Sequence, residues 1–320
     1  MTIMPVNLSQ DELSTLLPMK QLIEALRTSF TTGCSAPARE HHSIEGLNNQ
    51  QGTLLLMSAW SPPGNTRYMG VKQVNIFPGN AESGKPALNS TYNLFDGNTG
   101  EHLAAMDGNT ITGLRTVAVS ALAADYLARP NAKSLLVLGS GRISSLIPDA
   151  YKAIREIEKI KIWDINIESA QRLVDTLRRK GYNCEIAASL EDAVPEADII
   201  SSATLSHAPL ICGKWLRPGT HVDLIGAFTS EMRESDDECV SMAKVFIDTE
   251  EVFHEGGDIV QPIKEGVINR SHVQAKLADL TSGTAIGRSN NEEITLFKAV
   301  GTALADLSAA TLAFQTKMKE

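Results

Sequence analysis

The chain has 320 residues, 42% of them hydrophobic and 21% charged, with a net charge of −9 at neutral pH. That acidic balance, with no Lys/Arg cluster to offset it, argues against a nucleic-acid or anionic-membrane surface. No apolar run reaches the roughly 18 residues of a membrane span; the opening MTIMPVNLSQDEL lacks a basic-then-apolar signal, and the four cysteines are scattered, so a reduced, cytoplasmic protein is expected.

Ser9-Gln10-Asp11-Glu12 has the spacing of a capping box. Pro18 suits the start of a helix that runs to Phe30, with Leu22, Ile23, Leu26 and Phe30 on one face and Gly33 after it. Arg39 and the pair His41-His42 follow a proline-containing loop. Strands are predicted over Thr53–Ser58, Tyr68–Ile76 and Ala87–Asp96, the last closed by an Asp-Gly-Asn turn. His102–Met106 leads into a turn at Asp107, and the Ala-rich stretch Thr110–Leu127 reads as a helix. Lys72 and Arg115 stand in otherwise apolar surroundings. With Arg39 they have the chemistry to hold a small carboxylate, since Arg binds it bidentately and a desolvated Lys can trade a proton. No histidine spacing supports a metal site.

Beyond residue 130 the pattern becomes a β-α alternation. Strands are predicted at Ser134–Leu138, Lys159–Asp164, Cys184–Ala187, Ile199–Ala203, His221–Ile225 and Lys244–Asp248, which read as a doubly wound parallel sheet. Gly139-Ser140-Gly141 follows the first of these. Gly139 would permit the tight turn, Gly141 would let the backbone approach a pyrophosphate, and Ser144 would replace the third glycine as a small packing residue. Pro148 is expected to bend the helix that follows. Asp164 ends the second strand, where an acid accepts from a ribose diol and weakly favours NADH over NADPH. The last stretch, Asn291–Phe314, reads as one long helix returning to the first domain.

The segments VKQVNIFPGN (71–80), GKPALNSTYNLFDGNTGEHLAAMDGNTITGLRT (84–116), the glycine turn, IISSATLSHAPL (199–210) and GRSNNEEITLFKAVGTALADL (287–307) resemble the ornithine cyclodeaminase/mu-crystallin family. The resemblance implies an α/β fold: a Rossmann-type NAD(P)-binding domain over residues 125–296 and a discontinuous α+β domain for substrate and dimerisation over 1–124 and 297–320. It implies NAD(P)H held by Gly139, Gly141, Arg142, Ile143, Asp164, Thr204, Ile225, Gly226, Ala227 and Arg115. Substrate contacts are implied at Arg39, Lys72 and Arg115, with His42 and Phe228 counted beside them, Lys72 as the catalytic residue, and a homodimer as the assembly. Members include cyclodeaminases, alanine dehydrogenases, ketimine reductases and ligand-binding mu-crystallins. Cyclodeaminases carry an acid/base aspartate where this chain has Phe228, and a phenyl ring moves no proton. The expected activity is therefore reduction of a cyclic imine, Δ1-pyrroline-2-carboxylate or its six-membered homologue. Ornithine or lysine cyclodeamination, alanine dehydrogenation and simple ligand binding are the alternatives.

Overall fold

The computed structural model describes residues 4–46, 51–62 and 67–320. The chain divides into two compact units, Met1–Arg115 with Thr302–Glu320, and Thr116–Gly301. Among the described residues no helix is long and apolar enough to cross a membrane.

The first unit is built on six strands: β1 (Val6–Leu8), β2 (Glu40–Glu45), β3 (Gln51–Trp60), β4 (Tyr68–Ile76), β5 (Leu88–Asp96) and β6 (His102–Asp107). They lie in the order β1-β6-β5-β4-β3-β2, antiparallel except for the β1–β6 pair. β1 and β2 are additions to the sequence reading. β1 has three residues, and β2 is exposed along its whole length, so neither shows the alternating burial that announces a strand. The capping box holds at the start of α1 (Gln10–Leu16), with Glu12 N donating to Ser9 Oγ and Ser9 N to Glu12. Helix α2 (Met19–Thr32) follows Pro18 and ends at Gly33, whose φ of 77° suits a residue without a Cβ.

Register across this sheet aligns Met57, Lys72, Tyr92, Met106 and Leu8 in one row, all of them buried. Successive strand residues point to opposite faces, so Lys72 is committed to the core by the same period that buries Gly70 and Val74. The terminal helix Ala303–Lys317, capped by Thr302, packs on β3, β4, β5 and α2 through a stripe of alanines and Leu307. Asp306 stands within that stripe.

Helix α3 (Gly108–Leu127) is capped by Asp107, whose Oδ1 accepts from Thr110 N and Oγ1, both at 2.7 Å. The boundary between the two compact units falls inside it, at 115/116.

The second unit carries β7 (Ser134–Leu138), β8 (Lys159–Trp163), β9 (Cys184–Ile186), β10 (Ile199–Ser202), β11 (His221–Leu224), β12 (Lys244–Ile247), β13 (Val273–Lys276) and β14 (Thr295–Lys298). All pair in parallel in the order β13-β12-β14-β11-β10-β7-β8-β9. The strand order reverses between β7 and β10, which makes their C-terminal ends a topological switch point. Asn291–Phe314 is not one helix: Thr295-Leu296-Phe297-Lys298 is a buried strand between β11 and β12, and helix resumes only at Ala303. The second compact unit ends at Gly301, just before that helix.

Pro148 does not bend a helix. The chain turns through 142–146, and α4 (Ile147–Lys152) begins with Pro148 in its first turn. A proline there lacks only an amide that a helix start leaves unused, and Ser144 O accepts instead from Ile147 N at 3.3 Å. Below the turn, Tyr151 Oη donates to Asp223 at 2.8 Å and Ser201 Oγ donates to the same carboxyl at 2.6 Å. That buried network pins α4, and therefore the glycine turn, to β10 and β11.

Candidate active site

In the first unit, three buried charges meet. Lys72 Nζ lies 2.7 Å from Asp306 Oδ2, and Arg115 Nε donates to Asp306 Oδ1 at 2.9 Å. Lys72 is 2% exposed, Arg115 6% and Asp306 0%. Burial pulls the Lys72 ammonium down to about 8; Asp306 opposes that fall, and the Arg115 and Arg39 charges add to it. Burial pushes Asp306 up, but Arg115 and then Lys72 more than offset it and hold the carboxyl below its usual range. The cluster thus holds two cations on one anion. Among the described residues, the two terminal nitrogens of Arg115 have no further partner, which leaves a planar donor pair for a carboxylate.

Arg39 directly precedes β2, and continuing the β2–β3 register by one step sets it opposite Met57, in the Lys72 row. His42 occupies an alternate position of β2, on the other face, where its Nε2 lies 3.4 Å from Glu40. The structure therefore gathers Arg39, Lys72 and Arg115 and sets His42 apart. Tyr92, opposite Lys72, has a fully buried hydroxyl with no hydrogen-bond partner among the described residues; burial and then the Asp306 charge push its pKa far up.

In the second unit, the turns after β7 and β10 meet at the switch point. Gly139 has φ 98°, and a Cβ there would stand 2.9 Å from both Ala203 O and Ser144 Oγ. A Cβ on Gly141 would meet nothing within 4 Å. Gly139 is therefore required by the fold itself, while Gly141 borders open space of the kind a pyrophosphate would fill. Ser144 is fully buried beside Gly139. Arg142 is exposed and Ile143 half-buried on the same turn. Asp164 accepts from Ser140 Oγ at 2.6 Å and from Asn166 N at 2.8 Å, so its carboxylate is held at the end of β8. Ile165 and Leu205, which follow Asp164 and Thr204, are strongly exposed apolar side chains. These features fit a dinucleotide.

Thr204 N and Oγ1 both donate to Glu234, each at 2.7 Å, so this residue has no free donor to offer a ligand. In the loop Ile225-Gly226-Ala227-Phe228, a Cβ on Gly226 would overlap Thr204 O, and Ala227 adopts φ 46°, a left-handed conformation unusual outside glycine. Phe228 is 47% exposed.

Asp306 is the residue of the cluster that sequence reasoning missed. Asp306 is a lone acid in the Ala/Leu helix ALADLSAA, and Lys72 and Arg115 are lone cations in apolar segments. Buried charges need partners, so that complementarity was a usable signal.

A glycine turn at the switch point of a parallel sheet, with a fixed carboxylate at the end of the next strand, defines an α/β chain of the Rossmann type. The chain belongs to the ornithine cyclodeaminase/mu-crystallin family, whose model matches residues 5–319. It is 36% identical to a Delta(1)-pyrroline-2-carboxylate reductase of Paracoccus denitrificans, over 96% of this chain and 95% of that one. The structure of the Thermococcus litoralis Delta(1)-pyrroline-2-carboxylate reductase, a complex with NADH and L-proline, superimposes with a TM-score of 0.90 at 34% identity, covering 98% of each chain. An archaeal alanine dehydrogenase dimer with bound NAD gives 0.89 at 28% identity, over 98% of this chain and 96% of that one.

Proposed function

We propose that this chain is an NAD(P)H-dependent ketimine reductase that converts Δ1-pyrroline-2-carboxylate to L-proline and accepts the six-membered Δ1-piperideine-2-carboxylate, giving L-pipecolate. The observation that carries the reading is the buried Lys72–Asp306–Arg115 cluster. Arg115, with Arg39, grips the substrate carboxylate and orients the ring. Lys72, still largely protonated near neutral pH, supplies a proton to the imine nitrogen. A nicotinamide cofactor, when held by the glycine turn and Asp164, would supply hydride chemistry for the imine carbon. Asp306 keeps Lys72 charged and stops the two cations from repelling one another apart. Phe228 has no ionisable group, which removes the acid/base that expelling ammonia would require. The assembly in this reading is a homodimer, and the compartment is the cytoplasm.

The deciding test is a panel of the two cyclic imines, ornithine, lysine, and pyruvate with ammonia, each with NADH and NADPH. Cofactor consumption with a cyclic imine is expected; none with either ring would end the reading. The free-enzyme kcat/KM should fall as pH rises through about 8, because the proton donor is lost there. A flat profile from 7 to 9.5 would remove Lys72 from the role.

The same reading assigns NADH as the preferred cofactor, with the Asp164 carboxylate accepting from the ribose diol and repelling a 2′-phosphate. Asp164→Ser should shift the NADPH/NADH ratio of kcat/KM toward NADPH by about tenfold, the effect of removing one short-range repulsion. An unchanged ratio would take the preference away from Asp164.

A further inference from the structure

The reading above gives no role to Glu234, Asp258 and Lys298, yet all three are fully buried in the second unit. Lys298, at the C-terminal end of β14, donates to Gly226 O and lies 3.1 Å from Asp258 Oδ2. The other Asp258 oxygen accepts from Glu234 N at 2.8 Å, Ser235 N at 2.9 Å and Ser235 Oγ at 3.1 Å. Glu234 Oε1 accepts from Ser202 Oγ at 2.6 Å and from Thr204 N and Oγ1, both at 2.7 Å. Its Oε2 is buried without a hydrogen-bond partner among the described residues. Ile225 N and Gly226 N both reach Ser202 O, at 2.8 and 3.3 Å, and a Cβ on Gly226 would press on the Glu234 carboxyl.

One carboxyl therefore joins the end of β10 to the loop that follows β11. Two acids share one lysine, in a place where apolar residues of similar size would fold at least as well. Burial raises the Glu234 carboxyl above its ordinary range; Lys298 opposes this and Asp258 adds to it. The arrangement is an expensive way to fill space and an effective way to fix position, because each donor on Thr204 and Ser202 has one acceptor and one geometry.

We infer that Glu234 is a positioning residue for the cofactor, setting the 203–206 turn and the 225–229 loop in register with each other. The inference rests on the assignment of Thr204 and Ile225–Ala227 to the nicotinamide cofactor. The test compares Glu234→Ala, Glu234→Gln and Ser202→Ala with Asp198→Asn, a stability control at the opposite, N-terminal end of β10. NADH affinity is read by nicotinamide fluorescence on folded protein, and backbone amide exchange is read without cofactor.

Glu234→Ala should weaken NADH about tenfold or more, as the loss of an acceptor for three donors, buried on Ser202 and half-buried on Thr204, implies. Exchange should rise in 203–206 and 225–229 together. Glu234→Gln keeps an acceptor oxygen and should stay within about threefold of wild type, while Ser202→Ala removes one of the three donors and should weaken NADH by about three- to tenfold, which preserves the test if Glu234→Ala does not fold. Asp198→Asn should lose stability and keep its NADH affinity. The inference is overturned if Glu234→Ala and Ser202→Ala bind NADH as wild type does, or if their exchange rises evenly across the unit. A wild-type chain that binds neither NADH nor NADPH overturns the cofactor assignment itself, and that result is read before any variant is made.

Discussion

Asp306→Ala should be more destructive than removal of either cation that Asp306 holds. Lys72 and Arg115 both pair with this one carboxylate, and both are buried. Without it, two like charges remain in the core with no counter-ion, and breaking a buried pair in this way costs about 3–5 kcal/mol. Lys72→Met leaves the Asp306–Arg115 pair intact and should cost less. The variant also changes the chemistry: Asp306 is what raises Lys72 against burial, so without it the ammonium falls below about 8 and loses its proton nearer neutrality. Loss of a positioned proton donor lowers a rate by about 10²–10⁴. Denaturant unfolding and imine-dependent NADH oxidation measure the two effects. The double variant Asp306→Ala/Lys72→Met should recover part of the stability and none of the rate. If Asp306→Ala were no less stable than Lys72→Met, the shared-anion account of the cluster would be wrong.

That cluster also shows where sequence reasoning reaches its limit. Strands β7, β8 and β10–β12 are legible to within a residue at their ends, β7 as a buried apolar run and β8 through the alternation of Ile160 and Ile162 with Lys159 and Lys161. β14 is equally buried but was absorbed into the helical spacing of Ile294, Phe297, Val300, Leu304 and Leu307. The signals against a helix were local: Gly301 with φ 84°, and Thr302 placed to accept from Leu304 N. β13 is short, half-buried and shifted in register against β12, so it offers almost no pattern. At the site, Lys72 and Arg115 were legible as misfits in apolar segments. Asp306 lies 191 residues from Arg115 in the chain, and only the fold brings the two together. Glu234 is legible as an acid but not as a buried one, since its surroundings, MRESDDE, read as solvated surface.

The two glycines after β7 should separate stability from cofactor binding. Gly139→Ala forces a Cβ into a φ of 98° and to within 2.9 Å of the Ala203 carbonyl, which is backbone and cannot swing away. Strain of that kind costs about 1–3 kcal/mol, and the variant should unfold at lower denaturant even without cofactor. Gly141→Ala adds its methyl where nothing lies within 4 Å, so the protein alone should keep its stability to within about 0.5 kcal/mol. The same methyl occupies the approach of the pyrophosphate, and overpacking there costs about 1–3 kcal/mol, roughly five- to 150-fold in NADH affinity. Gly141→Val should widen the gap between unchanged stability and lost binding. Unfolding curves with and without NADH distinguish the cases: wild type gains stability from the cofactor, Gly141→Ala starts level with wild type and gains little, and Gly139→Ala starts low. Full NADH stabilisation of Gly141→Val would move the pyrophosphate off this turn, and with it the reason for Gly141 at the switch point.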